Sequence, residues 1–393
     1  MAAWLCRVAL TSAVVLGSGC GSHHDAQAVR LGGIFNTTGA QASLDGPTRQ
    51  GALLAAEQIN AAGGVLGRRL EVVSADGETD PTVLQQRTAA LVAEGAVAVL
   101  GLSDTDAVLA AAPQAAAAQT YFVTSGATSP QLPEQVPTYL YLACFGDNAQ
   151  AAAGAEYAAS SLRAATAALL FDSTRDYTVL LGQYFTAAFT DVGGTVVLQA
   201  EYVGAAGAAA LATQLAALRA LEPQPDVLYV AAGPDEVTGI VQQLRAAGLD
   251  QPILGGDAYD TDALLALGAT ADDVYYTTHA LLDAASADPR VRTFVTDYQA
   301  RYGTPPENAF AGLGFDTVRL LADAIARAGS SDRAAIGAAL ATTRDLAGVT
   351  GTISYENGSR VPRKTVTVVR LVDGQRQLAA QFIPTHVPPP GGG

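Results

Sequence analysis

From residue 29 onward, short runs rich in β-branched residues alternate with longer, alanine-rich runs of helical character. The first repeat is a predicted strand at 29–35, a helix at 47–62 that ends at Gly63-Gly64, and a strand at 69–75. Further strands are predicted at 97–100, 121–124, 167–171, 195–202, 227–231, 252–254 and 274–277, with helices between them. Such repeats predict parallel sheets built from right-handed crossovers. Because 393 residues exceed one ordinary core, we expect two α/β lobes.

Near the C-terminus the alternation is replaced by three helices followed by three short strands. The helices are predicted at 288–302, 308–328 and 332–343, and the strands at 351–355, 365–371 and 377–382. Asn357-Gly358 and Asp373-Gly374 lie between these strands and favour tight hairpin turns, so we expect antiparallel pairing. Residues 384–393 are rich in proline and glycine and are expected to form a disordered tail.

Residues 1–20 have the organisation of an export signal. Arg7 precedes an apolar stretch at 8–16, which is too short to cross a bilayer about 30 Å thick, so a cleaved signal peptide is favoured over a membrane span. The small residues before Cys20 resemble a lipobox, although Gly17 stands where leucine is usual. We expect lipidation at Cys20 and a flexible tether at 21–28. The alternative is a plain secretory signal with an incidental cysteine.

Charge and cysteine content exclude several classes of function. The formal charge is −15 and Lys364 is the single lysine, so we expect no nucleic-acid partner and no membrane contact except through the lipid anchor. Cys6 and Cys20 lie in the export segment, which leaves Cys144 without a disulfide partner and predicts a buried thiol. The four histidines lack metal-ligand spacing, so neither a metal nor a cofactor is expected.

The sequence lacks the motifs of the common nucleotide-binding and hydrolytic enzymes. No glycine-rich dinucleotide loop, phosphate-binding loop or nucleophile elbow is present. Candidate catalytic groups therefore reduce to carboxylates, which cluster at 76–80 and 257–262. Most of these have the positions of helix caps or loop residues, with Asp257 as the exception. We expect a binding protein with no catalytic residues, not an enzyme.

Several segments together resemble one known family. They lie at 50–67, 76–81, 101–113, 124–132, 172–177, 226–229, 243–249, 255–257 and 315–316. The first ends in INAAGGVLG, and the most specific is TSGATSPQL at 124–132. In this order and at this spacing, the segments are similar to the branched-chain amino acid (leucine/isoleucine/valine-binding) type of ABC-transporter substrate-binding protein. The likeness extends from about residue 29 to residue 382.

The resemblance implies a type I periplasmic-binding-protein fold, an α/β fold of two Rossmann-like lobes with parallel sheets joined by a three-segment hinge. Lobe one would comprise 29–147 and 281–350, and lobe two 148–280 and 351–383. The lobes would close on a ligand by bending at the hinge.

On lobe one, Thr105 and Thr128 follow predicted strands, and Thr105 directly precedes a helix. The carboxyl ends of parallel strands are where open α/β sheets bind ligands, and a helix N-terminus favours an anion. With the backbone around Gly126 and Ala127, these hydroxyls would form an anion cradle, and the resemblance implies that it holds an α-carboxylate. The alternative is that both threonines are ordinary helix caps.

The other candidate residues rest on the resemblance. It implies that Asp257 pairs with the ligand's ammonium and that Tyr177 lines the site. Leu44 stands at a loop position where relatives often have an aromatic residue. Gly233 stands where they often have tyrosine, so we expect an enlarged pocket and leave the ligand's side chain open.

Together with the export signal, the resemblance implies an exported, solute-binding lipoprotein of an ABC uptake system. Its partners would be a small amino acid or related carboxylate and a membrane permease, and the protein would be a monomer. The alternative is a sensor of the same fold that acts on a signalling partner.

Overall fold

The computed structural model describes Met1, residues 28–204 and residues 211–391. The predicted signal peptide after Met1, with Cys20, and the tether up to residue 27 lie outside the described residues. Within the described part, no helix is both long and apolar enough to cross a membrane. Two sheets flanked by helices form two α/β lobes, as the alternating pattern predicts.

Lobe one contains a parallel sheet covered by helices. Its strands are β1 (Val29–Phe35), β2 (Leu70–Asp76), β3 (Ala98–Gly101), β4 (Tyr121–Thr124) and β5 (Leu140–Leu142). The helices between them are α1 (Ala42–Ala61), α2 (Pro81–Ala93), α3 (Thr105–Ala117) and α4 (Leu132–Gln135). The strand order is β2-β1-β3-β4-β5, and every pair is parallel. The central strands are buried on both faces, which is why they read as continuous apolar runs.

Lobe two contains a larger, mixed sheet. Its helices and first strands are α5 (Asp147–Ser160), β6 (Thr166–Asp172), α6 (Asp176–Asp191), β7 (Thr195–Tyr202), α7 (Ala212–Arg219), β8 (Val227–Ala231), α8 (Val237–Ala246), β9 (Ile253–Gly255), α9 (Asp262–Leu265) and β10 (Val274–Thr278). The remaining elements of the chain are α10 (Pro289–Tyr302), α11 (Ala309–Ala328), α12 (Arg333–Ala341), β11 (Leu346–Gly348), β12 (Gly351–Ile353), β13 (Val366–Val372) and β14 (Gln375–Phe382). The strand order of the lobe-two sheet is β14-β13-β10-β9-β8-β6-β7, with β13 and β14 antiparallel at its edge.

Helices α10 to α12 return to lobe one, where α11 packs directly against α1. Two glycines allow this approach. A Cβ on Gly51 would overlap the carbonyl oxygen of Ala311, and a Cβ on Gly314 would overlap that of Thr48. The backbones of α1 and α11 are therefore in contact at two points, and this contact fixes how the two helices pack in lobe one.

The chain crosses between the lobes three times, at 143–146, 279–288 and 354–365. The single lysine joins two of these crossings. Its Nζ donates to the carbonyl oxygen of Ala143 at 3.0 Å and to the hydroxyl of Thr350 at 2.8 Å. Burial lowers the pKa of Lys364. The hinge is thus connected by hydrogen bonds rather than being a loose linker.

The pairing of the C-terminal strands differs in part from the sequence prediction. Asp373-Gly374, with φ of 50° and 71°, joins β13 to β14 as expected. The strand predicted at 351–355 instead pairs, as β12, with β11, so the turn at Asn357-Gly358 joins no paired strands. Tyr355 donates to the carbonyl oxygen of Leu142 at 2.8 Å and holds this segment on lobe one. The third crossing therefore begins after Ile353 rather than at 351.

The C-terminal tail also differs from its prediction. Up to residue 391 it lies along α5 and α6 instead of being disordered. Glu156 accepts the backbone N–H groups of Thr385 and His386 at 2.6 and 2.7 Å, and Asn148 donates to the carbonyl oxygen of Pro388 at 2.8 Å. Side chains of lobe two thus form hydrogen bonds with backbone groups of the tail, which the composition of the tail alone did not indicate.

Gly51→Ala tests the contact between α1 and α11. The new methyl group has no room, so we expect a loss of about 1–3 kcal/mol in the free energy of unfolding, as for overpacked cores. The matched control is Gly239→Ala, in α8, where nothing lies within 4 Å of the new Cβ. It should be neutral or stabilising by up to about 1 kcal/mol. Thermal and urea unfolding measure both variants, and wild-type stability of Gly51→Ala would contradict this packing.

Candidate functional site

A narrow cleft separates the lobes where the parallel strands of both sheets end. Its inner cavity has a volume of about 10 Å³ and is lined by Gln41, Leu44, Ser103, Asp104 and Phe310 from lobe one and by Arg175, Tyr177, Gly233, Pro234, Asp257 and Ala258 from lobe two. Four predicted site residues are therefore in the lining: Leu44, Tyr177, Gly233 and Asp257. The lobes touch beside the cavity, where the Ala309 N–H donates to Asp260 at 3.1 Å. The cleft is closed in this structure.

Asp257 is buried at the floor of the cleft and is held by three side chains. Its Oδ1 accepts from the Tyr177 hydroxyl at 2.9 Å and from Gln150 Nε2 at 3.0 Å. Its Oδ2 lies 3.0 Å from His279 Nε2. The Asp257 N–H donates back to Gln150 Oε1 at 3.0 Å. Tyr177 was predicted at the site, whereas Gln150 and His279 were not.

The local sequence explains why Asp257 and Tyr177 meet. Asp257 begins a short 3₁₀ turn directly after β9, and Tyr177 is the second residue of α6. Gly256 lies between them, and a Cβ there would collide with the Tyr177 hydroxyl. Glycine is therefore needed for the tyrosine to reach the carboxylate.

His279 directly follows β10 and is buried at the start of the second crossing. Its ring stacks on Phe145 with centroids 3.9 Å apart and meets the edge of Phe310 at 5.7 Å. Burial lowers the pKa of His279, although Asp257 opposes this effect, so the ring is neutral at physiological pH. A neutral imidazole donates from one nitrogen only, and Nε2 is the one that faces the carboxylate. All three side chains on Asp257 are thus uncharged donors.

Lobe one contains two buried hydroxyl groups, on Thr105 and Ser125, although neither residue is in the lining of the inner cavity. Thr105 is the first residue of α3, whose cap is Asp104, a cavity-lining residue that accepts the Ala107 N–H at 3.0 Å. The Thr105 hydroxyl is buried and has no hydrogen-bond partner among the described residues. The same holds for the hydroxyl of Ser125, which follows β4 and was not predicted. Thr105 is therefore not an ordinary side-chain cap.

The backbone at Gly126 and Ala127 does not form the predicted anion cradle. The Gly126 N–H donates to the Leu102 carbonyl oxygen and the Ala127 N–H to the Thr124 hydroxyl, both at 3.1 Å. These donors are used within lobe one. The Ala127 carbonyl oxygen accepts from Cys144, a buried free thiol as expected. The N–H groups of Gly126 and Ala127 are therefore not free to bind an anion.

The two positions that depart from the resemblance are filled differently from expectation. Leu44 lies in the first turn of α1 instead of in a loop, and it packs in the core of lobe one. Gly233 does not enlarge the pocket, because the guanidinium of Arg175 occupies the space beside it. A Cβ on Gly233 would lie 2.8 Å from the guanidinium carbon. Arg175 is held there by Asp172 at 3.2 Å and by Asp235 at 2.9 Å.

Thr128 connects the cleft to a second buried carboxyl group. Its carbonyl oxygen accepts the Asp147 N–H at 2.6 Å, and its hydroxyl accepts from Gln150 at 3.5 Å. Gln150 also donates to Asp147 at 2.8 Å. Burial, together with repulsion from Asp257, raises the pKa of Asp147 to about 7. Asp147 and Asp257 thus accept hydrogen bonds from the same Gln150 amide, and Asp147 keeps its proton up to about neutral pH.

Asp147→Asn tests this electrostatic arrangement. Unfolded aspartate has a pKa near 3.8, so wild-type protein loses stability as pH rises from about 4 to about 7, where only the unfolded chain ionises. The asparagine variant lacks this loss, which is at most about 1.4 kcal/mol per pH unit. We expect the variant to gain relative to wild type across this window and the difference to level off above it. Parallel pH profiles of the melting temperature would contradict the raised pKa.

Comparison with known proteins places this architecture in a family. The model of the family described as periplasmic binding protein matches residues 28–376. Leu/Ile/Val-binding protein homolog 3 of Brucella melitensis is 26% identical over 349 residues, which are 88% of this chain and 92% of that protein. An amino acid binding protein of Pseudomonas aeruginosa is 28% identical over 319 residues, covering 80% and 82%.

Solved structures agree with the sequence relatives. The leucine binding protein LivK of Thermotoga maritima superposes with a TM-score of 0.82 at 30% identity, covering 91% of this chain and 99% of that chain. The branched-chain amino acid transporter substrate binding protein LivJ of Streptococcus pneumoniae, in complex with isoleucine, gives 0.81 at 27% identity, with the same coverage. The family consists of exported solute-binding proteins and not of enzymes. This chain belongs to the periplasmic binding protein family and is of its branched-chain amino acid type.

Proposed function

We propose that this protein captures an amino acid or a related small carboxylate between its two lobes for an ABC uptake system. One observation carries the proposal. Asp257 is a buried carboxylate whose partners in the described part of the chain are all neutral: Tyr177, Gln150 and His279. A buried charge is costly without a counter-charge, and the ligand's ammonium group would supply one.

The opposite side of the cleft suits the ligand's carboxylate. Thr105 and Ser125 place buried hydroxyls without partners at the ends of two adjacent strands, and Thr105 also opens a 13-residue helix. Hydroxyl donors without partners favour an acceptor such as a carboxylate oxygen. A zwitterion lying across the cleft would bind the hydroxyls with one end and Asp257 with the other. Phe310 and Leu44 would supply apolar contacts in between.

Access to this site requires the lobes to separate. The inner cavity, at about 10 Å³, is no larger than the space needed by one water molecule. Three crossing segments permit hinge bending, and a ligand that touches both lobes would shift the equilibrium towards the closed form. We propose that the closed form is the one that a membrane permease recognises.

We also propose that the protein is a lipid-anchored monomer. The support is the sequence at the N-terminus, where small residues precede Cys20 after an apolar stretch too short to span a bilayer. A lipid on Cys20, followed by the tether, would hold the lobes close to a permease. This arrangement suits a protein that delivers its ligand to a membrane partner.

Calorimetric titration of the purified protein with a panel of L-amino acids tests the function. We expect at least one to bind saturably, without turnover, and to raise the melting temperature. At a hundredfold excess over Kd the free energy of unfolding should rise by about 2.7 kcal/mol. Absence of binding by every amino acid in the panel would contradict the proposal.

Asp257→Asn tests the ammonium contact within the same assay. Asparagine keeps the size of the side chain and an acceptor for Tyr177 but removes the charge. We expect amino acid affinity to fall about ten- to hundredfold, as for the loss of a charge-assisted hydrogen bond. The control is Asp262→Asn, an exposed carboxylate of lobe two that pairs with Arg376 at 3.0 Å. Equal weakening by both variants would argue against the contact.

A further inference from the structure

A second, larger cavity continues outward from the ligand cavity. We call it the outer chamber; its volume is about 360 Å³, and Gln41, Asp104 and Arg175 border both spaces. Its wall also includes Asp106 from lobe one and Asp235 and Glu236 from lobe two. A ligand anchored at Asp257 could therefore extend its side chain past Gln41 into the outer chamber.

The charges in the outer chamber are unbalanced. Four carboxylates and one guanidinium are in the lining. Arg175 already forms ion pairs within lobe two, where its guanidinium lies 2.9 Å from the carboxylate of Asp235 and 3.8 Å from that of Glu236. Across the described ranges, Asp104 and Asp106 of lobe one take part in no ion pair. Arg175 also acts on Asp104 and Asp106, where it opposes the rise that burial causes in the pKa of both carboxyl groups. One guanidinium thus serves four carboxylates, and the chamber keeps an excess of acidic groups.

Gln41 gives an independent indication of what the chamber accepts. Gln41 is only 2% exposed, and its Nε2 donates to Asp104 Oδ2 at 3.3 Å. Its Oε1 has no hydrogen-bond partner among the described residues. A buried acceptor without a donor is unfavourable, so this oxygen favours a ligand that carries N–H groups.

The surroundings of Asp104 would strengthen such an interaction. Burial raises the pKa of the Asp104 carboxyl group, which shows that water stabilises its charge poorly. A cation placed beside it would be attracted more strongly than on the open surface. An anionic group would find no free partner, because the guanidinium of Arg175 is occupied.

We propose that the outer chamber selects an amino acid whose side chain ends in a positively charged hydrogen-bond donor, such as an amine or a guanidinium. This inference rests on the proposed function, since it requires the ligand's α-groups to lie in the inner cavity. The side-chain cation would lie between Asp104 and Asp106 and would donate to Gln41 Oε1. Selection would therefore depend on charge and not on the bulk of an apolar side chain.

Calorimetry with two matched ligand pairs tests the selection. L-lysine is compared with L-norleucine, which lacks the terminal amine, and L-arginine with its neutral isostere L-citrulline. We expect at least one cationic ligand to bind about tenfold or more tightly than its neutral partner, as for one charge-assisted contact. Equal or tighter binding of both neutral partners would overturn the inference and leave amino acid capture standing. Absence of binding by any amino acid would instead contradict the proposed function.

Variants then locate the selecting charge. Asp104→Asn removes the charge, and asparagine is an equally good helix cap, so α3 should be retained. We expect the preference for the cationic ligand to fall about tenfold. Asp106→Asn, at an exposed position, should lower it in the same direction. The matched control is Asp332→Asn, which caps α12 by accepting the Ala335 N–H at 3.0 Å and lies outside the chamber. An unchanged preference in both chamber variants would overturn the assignment.

Discussion

The buried carboxylate of Asp257 is the interaction on which the organisation of the cleft depends. It is satisfied by Tyr177 of α6, Gln150 of α5 and His279 of the second crossing, so one charge fixes three separate segments. Removing such a partner leaves the buried charge uncompensated, which typically costs several kcal/mol in the free energy of unfolding. None of these three partners is a protein cation, because Tyr177 and Gln150 carry no charge and burial lowers the pKa of His279. In the proposed function, this network would hold the carboxylate in place for the ligand's ammonium group.

Much of the fold could be predicted because local patterns and tertiary burial agree. Strands β1, β7 and β8 begin and end where the apolar runs and turn residues indicate. The exceptions are contacts between distant segments. Nothing local distinguishes the turn at Asn357-Gly358 from a hairpin, and only the pairing of β12 with β11 decides its role. Likewise, the tail is ordered by Glu156 and Asn148, which are far from it in sequence.

The candidate site was predictable where a residue follows a strand. Asp257 and Tyr177 were predicted from the resemblance, at positions that follow strands, and His279 could have been predicted from its position alone, since it directly follows β10. Gln150 lies within an alanine-rich helix and has no local signal, although it binds both Asp147 and Asp257. The prediction that Gly233 enlarges the pocket was wrong, because the space beside this residue is filled by Arg175, which lies almost 60 residues earlier in the chain. Residue type at one position does not reveal which distant side chain occupies the space.

In the proposed function, the two lobes open and then close on an amino acid held between them. Small-angle X-ray scattering of the protein, alone and with a saturating amino acid identified by calorimetry, measures this directly. In the proposed motion, the lobes would move as rigid bodies about the three crossings, two of which are connected by Lys364. If the lobes close on the ligand, the radius of gyration will be smaller with the ligand than without it. Identical scattering curves at confirmed saturation would contradict this closure.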